Sequence, residues 1–379
     1  MKNAAVWALL VFGPILPTQA QELKLSSHLE SVKFSGDFRL RQENFKKMTP
    51  NKYDRNRERF RLRLGVEVQF PNQVLSVFRF ASGTGEQVST NQTFTGIGSQ
   101  KGIYIDQAYL AWRPSLGENG SAYLQSGRMQ NALWQTYSSD ALWDADLNPE
   151  GVGEGIEYLF PDTGVSLFAN AQQMAAAESA NNTARPFCLS QQLGFETRLP
   201  VKSRLRMAAA YHHWTNVDAF AFGQGVTQDG NRRYSTNVPK NLFGVGEVTA
   251  ELRSWVGRLP LSVQGTYLNN LRARDNLGSA ENYGYQTGFI LGKASGAKTW
   301  EAAYFYKFLR TDATIADAVD SDFGNGGTNR KGHILWLAYS PKDWLQVKAK
   351  YFITRLLADN QGQTDDAINR AQLDFQVKF

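Results

Sequence analysis

The chain has 379 residues, of which 12% are aromatic, 33 are glycine and one is cysteine, with a formal charge of +6 and a mean hydropathy of -0.41. So small a surplus of positive charge is no argument for nucleic-acid binding, and a lone cysteine, Cys188, excludes an internal disulfide. Beyond the first twenty residues no apolar run is long enough for a spanning helix, which excludes a bundle of membrane helices.

Residues 1–20 read as a cleaved signal peptide: Lys2 starts it, Ala4 to Leu16 form the apolar run, and Thr18-Gln19-Ala20 is a small-x-small cleavage site. The remainder, 21–379, reads as one domain, with no linker and no low-complexity tract. From Val32 the chain alternates. Val32, Phe34, Gly36, Phe38 and Leu40 take one face, and Lys33, Ser35, Asp37, Arg39 and Arg41 the other. Arg59 to Phe70 repeats the pattern for a dozen residues. Its even positions are all apolar, while its odd ones carry Arg59, Arg61, Arg63 and Glu67. Strands this long, apolar on one side and strongly polar on the other, mark a transmembrane antiparallel β-barrel, whose membrane face hydropathy averaging hides because only alternate residues touch lipid.

About sixteen alternating segments follow one another to the C-terminus. Short connections rich in Pro, Gly, Asn and Asp, such as Pro71 to Gln73, Pro161 to Gly164 and Pro341 to Asp343, alternate with long polar ones, such as Ser82 to Lys101, Asn131 to Glu150 and Thr311 to Asn329. That asymmetry predicts short periplasmic turns, long extracellular loops, and both chain ends on the periplasmic side. Leu205, Met207, Ala209 and Tyr211 oppose Arg204, Arg206 and His212, and Leu345, Val347, Ala349, Tyr351 and Ile353 alternate with Gln346, Lys348 and Lys350. In Val74 to Ala81 and His333 to Tyr339 the alternation is blurred, and a strand is expected there without an assigned face. The last strand sets Leu373, Phe375, Val377 and Phe379 against Gln372, Asp374, Gln376 and Lys378.

The final phenylalanine on an alternating strand resembles the signal by which bacterial outer-membrane proteins engage the barrel-assembly machinery. FSGDFRLRQENF at Phe34 to Phe45, RNRERFRLRLG at Arg55 to Gly65, IDQAYLAW at Ile105 to Trp112, SGRMQNALW at Ser126 to Trp134 and LWDADLNPEGVG at Leu142 to Gly153 resemble the family known as "putative porins". FRLR near the start and a later GR element also occur in the similar alginate-export barrels. The resemblance implies a diffusion channel in the outer membrane of a Gram-negative bacterium, in contact with outer-membrane lipid and commonly a homotrimer, with no cofactor and no catalysis.

Arg39 and Arg41 on the first strand, Arg59, Arg61 and Arg63 on the second, and Arg79 on the third form a basic ladder on neighbouring strands. In a narrow water-filled pore such a cluster favours anions. The alternative is that these arginines pair with Glu43, Glu58 and Glu67, or lie at the rim. By analogy with sixteen-stranded porins, the third long loop, Asn131 to Glu150, would fold into the barrel and set Asp140, Asp144, Asp146 and Glu150 across from the arginines, anchored by Trp134, Tyr137 and Trp143. Asp144, Asp146, Asn148 and Glu150 at alternate positions also form a poor candidate calcium loop, since Pro149 stiffens it and the rest of an EF-hand is missing. GxSxG, HExxH and CxxC are all missing, and only one of the adjacent His212 and His213 could face a lumen, so an enzyme is not expected. The expected function is a porin passing small hydrophilic solutes, preferably anions. The alternatives are a channel selective for acidic sugars or oligosaccharides, or an outer-membrane enzyme or binding barrel without an open pore.

Overall fold

The computed structural model describes residues 28–47, 54–178, 185–217, 230–232, 240–273, 281–358 and 367–379. The proposed signal peptide, 1–20, lies outside the described residues.

The first half of the wall is β1 (Ser31–Lys47), β2 (Arg55–Phe70), β3 (Val74–Ser82), β5 (Ile103–Trp112), β7 (Gly120–Arg128), β8 (Glu150–Phe160), β9 (Val165–Ala175) and β10 (Phe187–Leu199). The second half is β11 (Ser203–Trp214), β12 (Gly244–Val256), β13 (Leu259–Asn270), β14 (Tyr283–Gly292), β15 (Thr299–Leu309), β16 (Arg330–Lys342), β17 (Leu345–Leu356) and β18 (Ala367–Lys378). Two fragments of two residues each, β4 (Gln92–Thr93) and β6 (Ser115–Leu116), attach to β2 and β7 at the strand ends, so sixteen strands make the wall. Each of the sixteen wall strands pairs antiparallel with the wall strand next to it in sequence, and β18 returns to β1 and closes the barrel. The predicted fold class and strand number agree with this architecture.

The last residue extends the closing seam. Gly36 donates to the Phe379 carbonyl at 2.8 Å and accepts from its N–H at 3.1 Å, and the Phe379 ring lies over Gly36. A Cβ at Gly36 would come 2.6 Å from that ring and 2.6 Å from the Arg63 carbonyl. Gly36→Val is therefore expected to impede docking of the last strand, seen as a smaller fraction of heat-modifiable folded protein on a gel, while Gly265→Val, placed where neighbours are distant, should not.

The burial pattern is inverted relative to a water-soluble protein. Phe34 is 66% exposed and Leu193 69% exposed on the outer face, whereas Arg61, on the inner face, is 7% exposed. An apolar exterior with a satisfied polar interior is what a bilayer requires of a barrel wall.

The two blurred segments have a common cause. In β3 and β16 the inner face is apolar as well as the outer one. Leu75 and Val77 pack inward with Tyr109, Ala111 and Met129, and Ile334 and Trp336 pack inward with Phe305, Phe323 and Phe352, while Leu335, Leu337 and Tyr339 face out. The alternation fails where the lumen holds infolded chain in place of water.

That infolded chain comes from three of the long connections, 83–102, 129–149 and 310–329. Ala141, Leu142 and Trp143 from one and Ile315 and Ala318 from another form a buried core with Cys188, Trp214, Val245 and Leu268 of the wall. The inward course of 310–329, where Thr311 to Asp320 are all buried, departs from the long external connection that its polar sequence predicts.

Candidate functional site

The inward positions of β1, β2 and β18 build a basic wall that is neutralised locally. Arg41 bonds Asp374 through Nε at 2.6 Å and Nη2 at 2.8 Å, and reaches Asp322 at 3.0 Å. Arg39 lies 3.6 Å from Asp374 and donates to Asn91 at 2.5 Å. Arg61 and Arg63 share the two oxygens of Asp37, at 2.8 and 2.7 Å, and Arg63 also approaches Asp146 at 3.8 Å. Arg59 lies 3.8 Å from Glu43, which Arg57 and Arg370 clasp more closely. Arg79 pairs with Asp106 at 2.5 Å. Of the ladder, Arg39, Arg41, Arg61 and Arg63 line the main lumenal cavity, and Arg59 and Arg79 do not. The expected partners Glu58 and Glu67 are not the ones used: β1 and β18 supply Asp37, Glu43 and Asp374, because antiparallel register places them beside the arginines.

The loop 129–149 crosses the lumen. Ser138 and Ser139 bond Gln264 and Thr266 of β13 at 3.0 and 2.9 Å, Lys307 of β15 donates to the Asp140 carbonyl at 2.8 Å, and the Trp143 ring stacks on Trp214. It interlocks with 310–329: the Asp144 N–H donates to the Ala318 carbonyl at 2.7 Å, and the Ser321 N–H donates to the Asp144 carboxylate at 3.1 Å. The connection 83–102 joins them through Ser321 Oγ, which donates to the Val88 carbonyl, and Thr90, which bonds Asp146. Asp322 fastens the far end of 310–329 to the basic wall, 2.6 Å from Arg370 and 3.0 Å from Arg41.

Burial sets the carboxyl groups of these loops apart. Asp140 is pushed up to about 6 by burial and by Asp320, against the pull of Lys350 and Lys307. Asp144 is raised well above the ordinary carboxylate range by burial, then Asp146, Asp140 and Asp320. Burial alone would raise Asp322 too, yet Arg370, Arg41 and Lys350 hold it well below that range.

Beneath the loops lies a cavity of about 1160 Å³ that extends to the rim of short turns at Lys202, Lys293 and Lys378. Eleven basic side chains and eight acidic ones line it. Asp140, Asp144 and Asp146 are among the acidic ones. Lys348 and Lys350, inward on β17, differ from the arginines in having no ion-pair partner among the described residues. Their ammonium groups lie over the Trp336 ring, 4.4 and 5.8 Å from its centroid. The alternation alone turns both lysines inward, but only barrel closure, which pairs β18 with β1 and leaves β17 one strand further on, joins them to the arginine wall.

Two expectations need correction. Glu150 does not enter the lumen: it begins β8 on the outer face, in the parity of the outward Val152 and Ile156, and pairs with Arg128 at 2.7 Å. The four alternate oxygen-bearing residues also fail to converge as a calcium shell. Asp144 accepts from the N–H groups of Asp146 and Ser321, Asp146 turns to Thr90 and Arg63, Asn148 donates to Asp106 at 2.7 Å, and Glu150 points away. Among the described residues no group of three or more His, Cys, Asp or Glu side chains is placed to hold a metal ion.

Of the adjacent histidines, His212 faces in and is fully buried, between Ser190 at 2.9 Å and Glu247 at 3.1 Å. This trio superficially has the parts of a hydrolytic triad. It is sealed beneath Trp143, whose ring lies 5.7 Å from the imidazole, and does not line the cavity.

A closed antiparallel barrel with an apolar outer wall, a charged lumen and infolded loops defines a channel protein of the outer-membrane porin type. The family described as "putative porin" matches residues 36–262 and 261–379, and the chain belongs to that family. Among solved structures it is similar to a loop-deletion mutant of OmpT, an outer membrane protein of Vibrio cholerae, at 11% identity and a TM-score of 0.48, covering 92% of this chain and 99% of that one. It is also similar to a triple mutant of the Rhodopseudomonas blastica porin, at 8% identity and a TM-score of 0.47, covering 92% and 100%. No curated protein matches the chain.

Proposed function

We propose that this protein is a non-enzymatic diffusion channel of a Gram-negative outer membrane, passing small hydrophilic solutes with a preference for anions. The observation that carries the preference is the cavity lining, eleven basic against eight acidic side chains, in which Lys348 and Lys350 lack ion-pair partners among the described residues. Arginines already bonded to Asp37, Asp374 and Asp322 contribute little net field, so the lysines without ion pairs among the described residues, Lys348 and Lys350 on the wall and Lys202, Lys293 and Lys378 at the rim, set the local potential. The same engagement of Arg41 by Asp374 through two nitrogens weighs against an arginine ladder that grips the carboxylates of acidic sugars. Recognition of Phe379 by the assembly machinery and association into homotrimers belong to this reading.

Planar-bilayer recording tests it. In a salt gradient the reversal potential is expected to have the sign of anion preference, and Lys348→Glu with Lys350→Glu to reverse that sign. A reversal potential indifferent to both substitutions would overturn the preference, and a folded barrel without conductance would overturn the channel itself.

A further inference from the structure

The geometry points to a saturable binding site for a short aliphatic dicarboxylate at Lys348 and Lys350, reached from the rim of short turns. This rests on the channel reading for its physiological use but not for its chemistry.

The two lysines occupy alternate positions of one strand, so their Cα atoms are about 6.7 Å apart and their side chains enter the lumen side by side. The carboxylate directly across from Lys348 is Asp374, which would ordinarily neutralise it. Asp374 is already held by Nε and Nη2 of Arg41 and approached by Arg39. On the other side, Lys348 and Lys350 face Ala338 and Trp336 of β16, neither of which carries charge. Trp336 donates its ring N–H to Glu301 at 2.7 Å and stacks on Phe305, which holds the indole flat beneath both ammonium groups. The result is a pair of cations on a rigid apolar floor, facing open volume, on which Asp374, Glu301, Asp140 and Asp322 act only from beyond ion-pair distance.

Two ammonium groups at this spacing match a ligand with a carboxylate at each end of a chain of about four carbons, each end accepting charge-assisted hydrogen bonds from one lysine. A monocarboxylate would engage only one of them. Phosphate concentrates its charge at one point and would suffer more from Asp140, Asp320 and Asp322, which line the same cavity. Separated single charges are therefore favoured over one dense charge.

Succinate is the probe. Isothermal titration of the purified, folded barrel in detergent at constant ionic strength is expected to give saturable binding, with acetate and inorganic phosphate at least about tenfold weaker. Lys348→Gln with Lys350→Gln should weaken succinate by a similar factor, while Lys348→Arg with Lys350→Arg should retain it; heat-dependent gel mobility confirms that each variant is folded. Equal binding of acetate and succinate, tighter binding of phosphate, or an unaffected glutamine variant would each overturn the site. Bilayer conductance of the same preparations keeps the two readings separate. Conductance without saturable succinate binding sinks the site alone, and saturable binding without conductance supports the site while sinking the channel.

Discussion

Replacing Arg370 with methionine is expected to destabilise the barrel by about 3–5 kcal/mol and to release the connection 310–329 from the wall. Arg370 is almost fully buried on β18 and joins three parts of the molecule. It clasps Glu43, a fully buried carboxylate on β1, bonds the Asp322 carboxylate at 2.6 Å, and donates to the carbonyls of Ser321 and Asp322 at 3.1 and 2.9 Å. Methionine preserves much of the volume but leaves Glu43 with Arg57, Arg59 and Gln372 as its partners among the described residues and removes the main restraint on Asp322. Denaturant unfolding in detergent, followed by tryptophan fluorescence, measures the stability change. Single-channel recording measures the release, expected as larger and noisier conductance steps. Since Asp322 also contacts Arg41, Asp322→Asn should reproduce the noise with a smaller loss of stability, because Glu43 then keeps its partner. Unchanged unfolding and unchanged steps in both variants would remove the clasp from any role in holding the loop.

Acidification from about pH 7.5 to about pH 4.5 is expected to tighten the infolded loops and lower conductance. The cause is Asp140, which titrates near 6 when the loops are packed and near the ordinary 3.8 when they are released into water. Between those values the packed arrangement holds the extra proton. Its stability is therefore fully present below about 3.8 and is lost as pH rises through about 6, by up to about 3 kcal/mol at neutral pH. Asp144 acts in the same direction, while Lys350 and Lys307 face Asp140 and limit the effect. Asp322 does not oppose it in this window, because its arginine partners keep it ionised well below the ordinary carboxylate range. Asp140→Asn mimics the protonated form and should flatten the conductance against pH. A native channel with equal conductance at both pH values, or one that opens on acidification, would contradict the sign.

The class of the protein and the face of most strands were legible in the residues alone. A lipid face and a water face differ at every second position, and strands such as β1, β2, β17 and β18 record that difference without reference to their neighbours. His212 was limited to one side of the wall from His213 by the same parity. Parity also contained the warning about Glu150, since it shares the even positions of Val152 and Ile156, but counting it as part of a loop concealed that.

What only the tertiary structure decided is how the charges are spent and what fills the barrel. Closure sets β18 next to β1 and β17 one strand further on, so Asp374 and Arg370 from the end of the chain meet Arg41 and Glu43 from its beginning, and Lys348 and Lys350 are left without ion-pair partners among the described residues. The inward course of 310–329 left a trace in the sequence only as the lost alternation of β16, where Ile334 and Trp336 meet Phe323 from that loop. Periodicity records which side of its own strand a residue occupies. It holds no record of which distant strand stands beside it once the sheet closes, or of which loop turns back into the space the sheet encloses, because both depend on contacts made across the whole length of the chain.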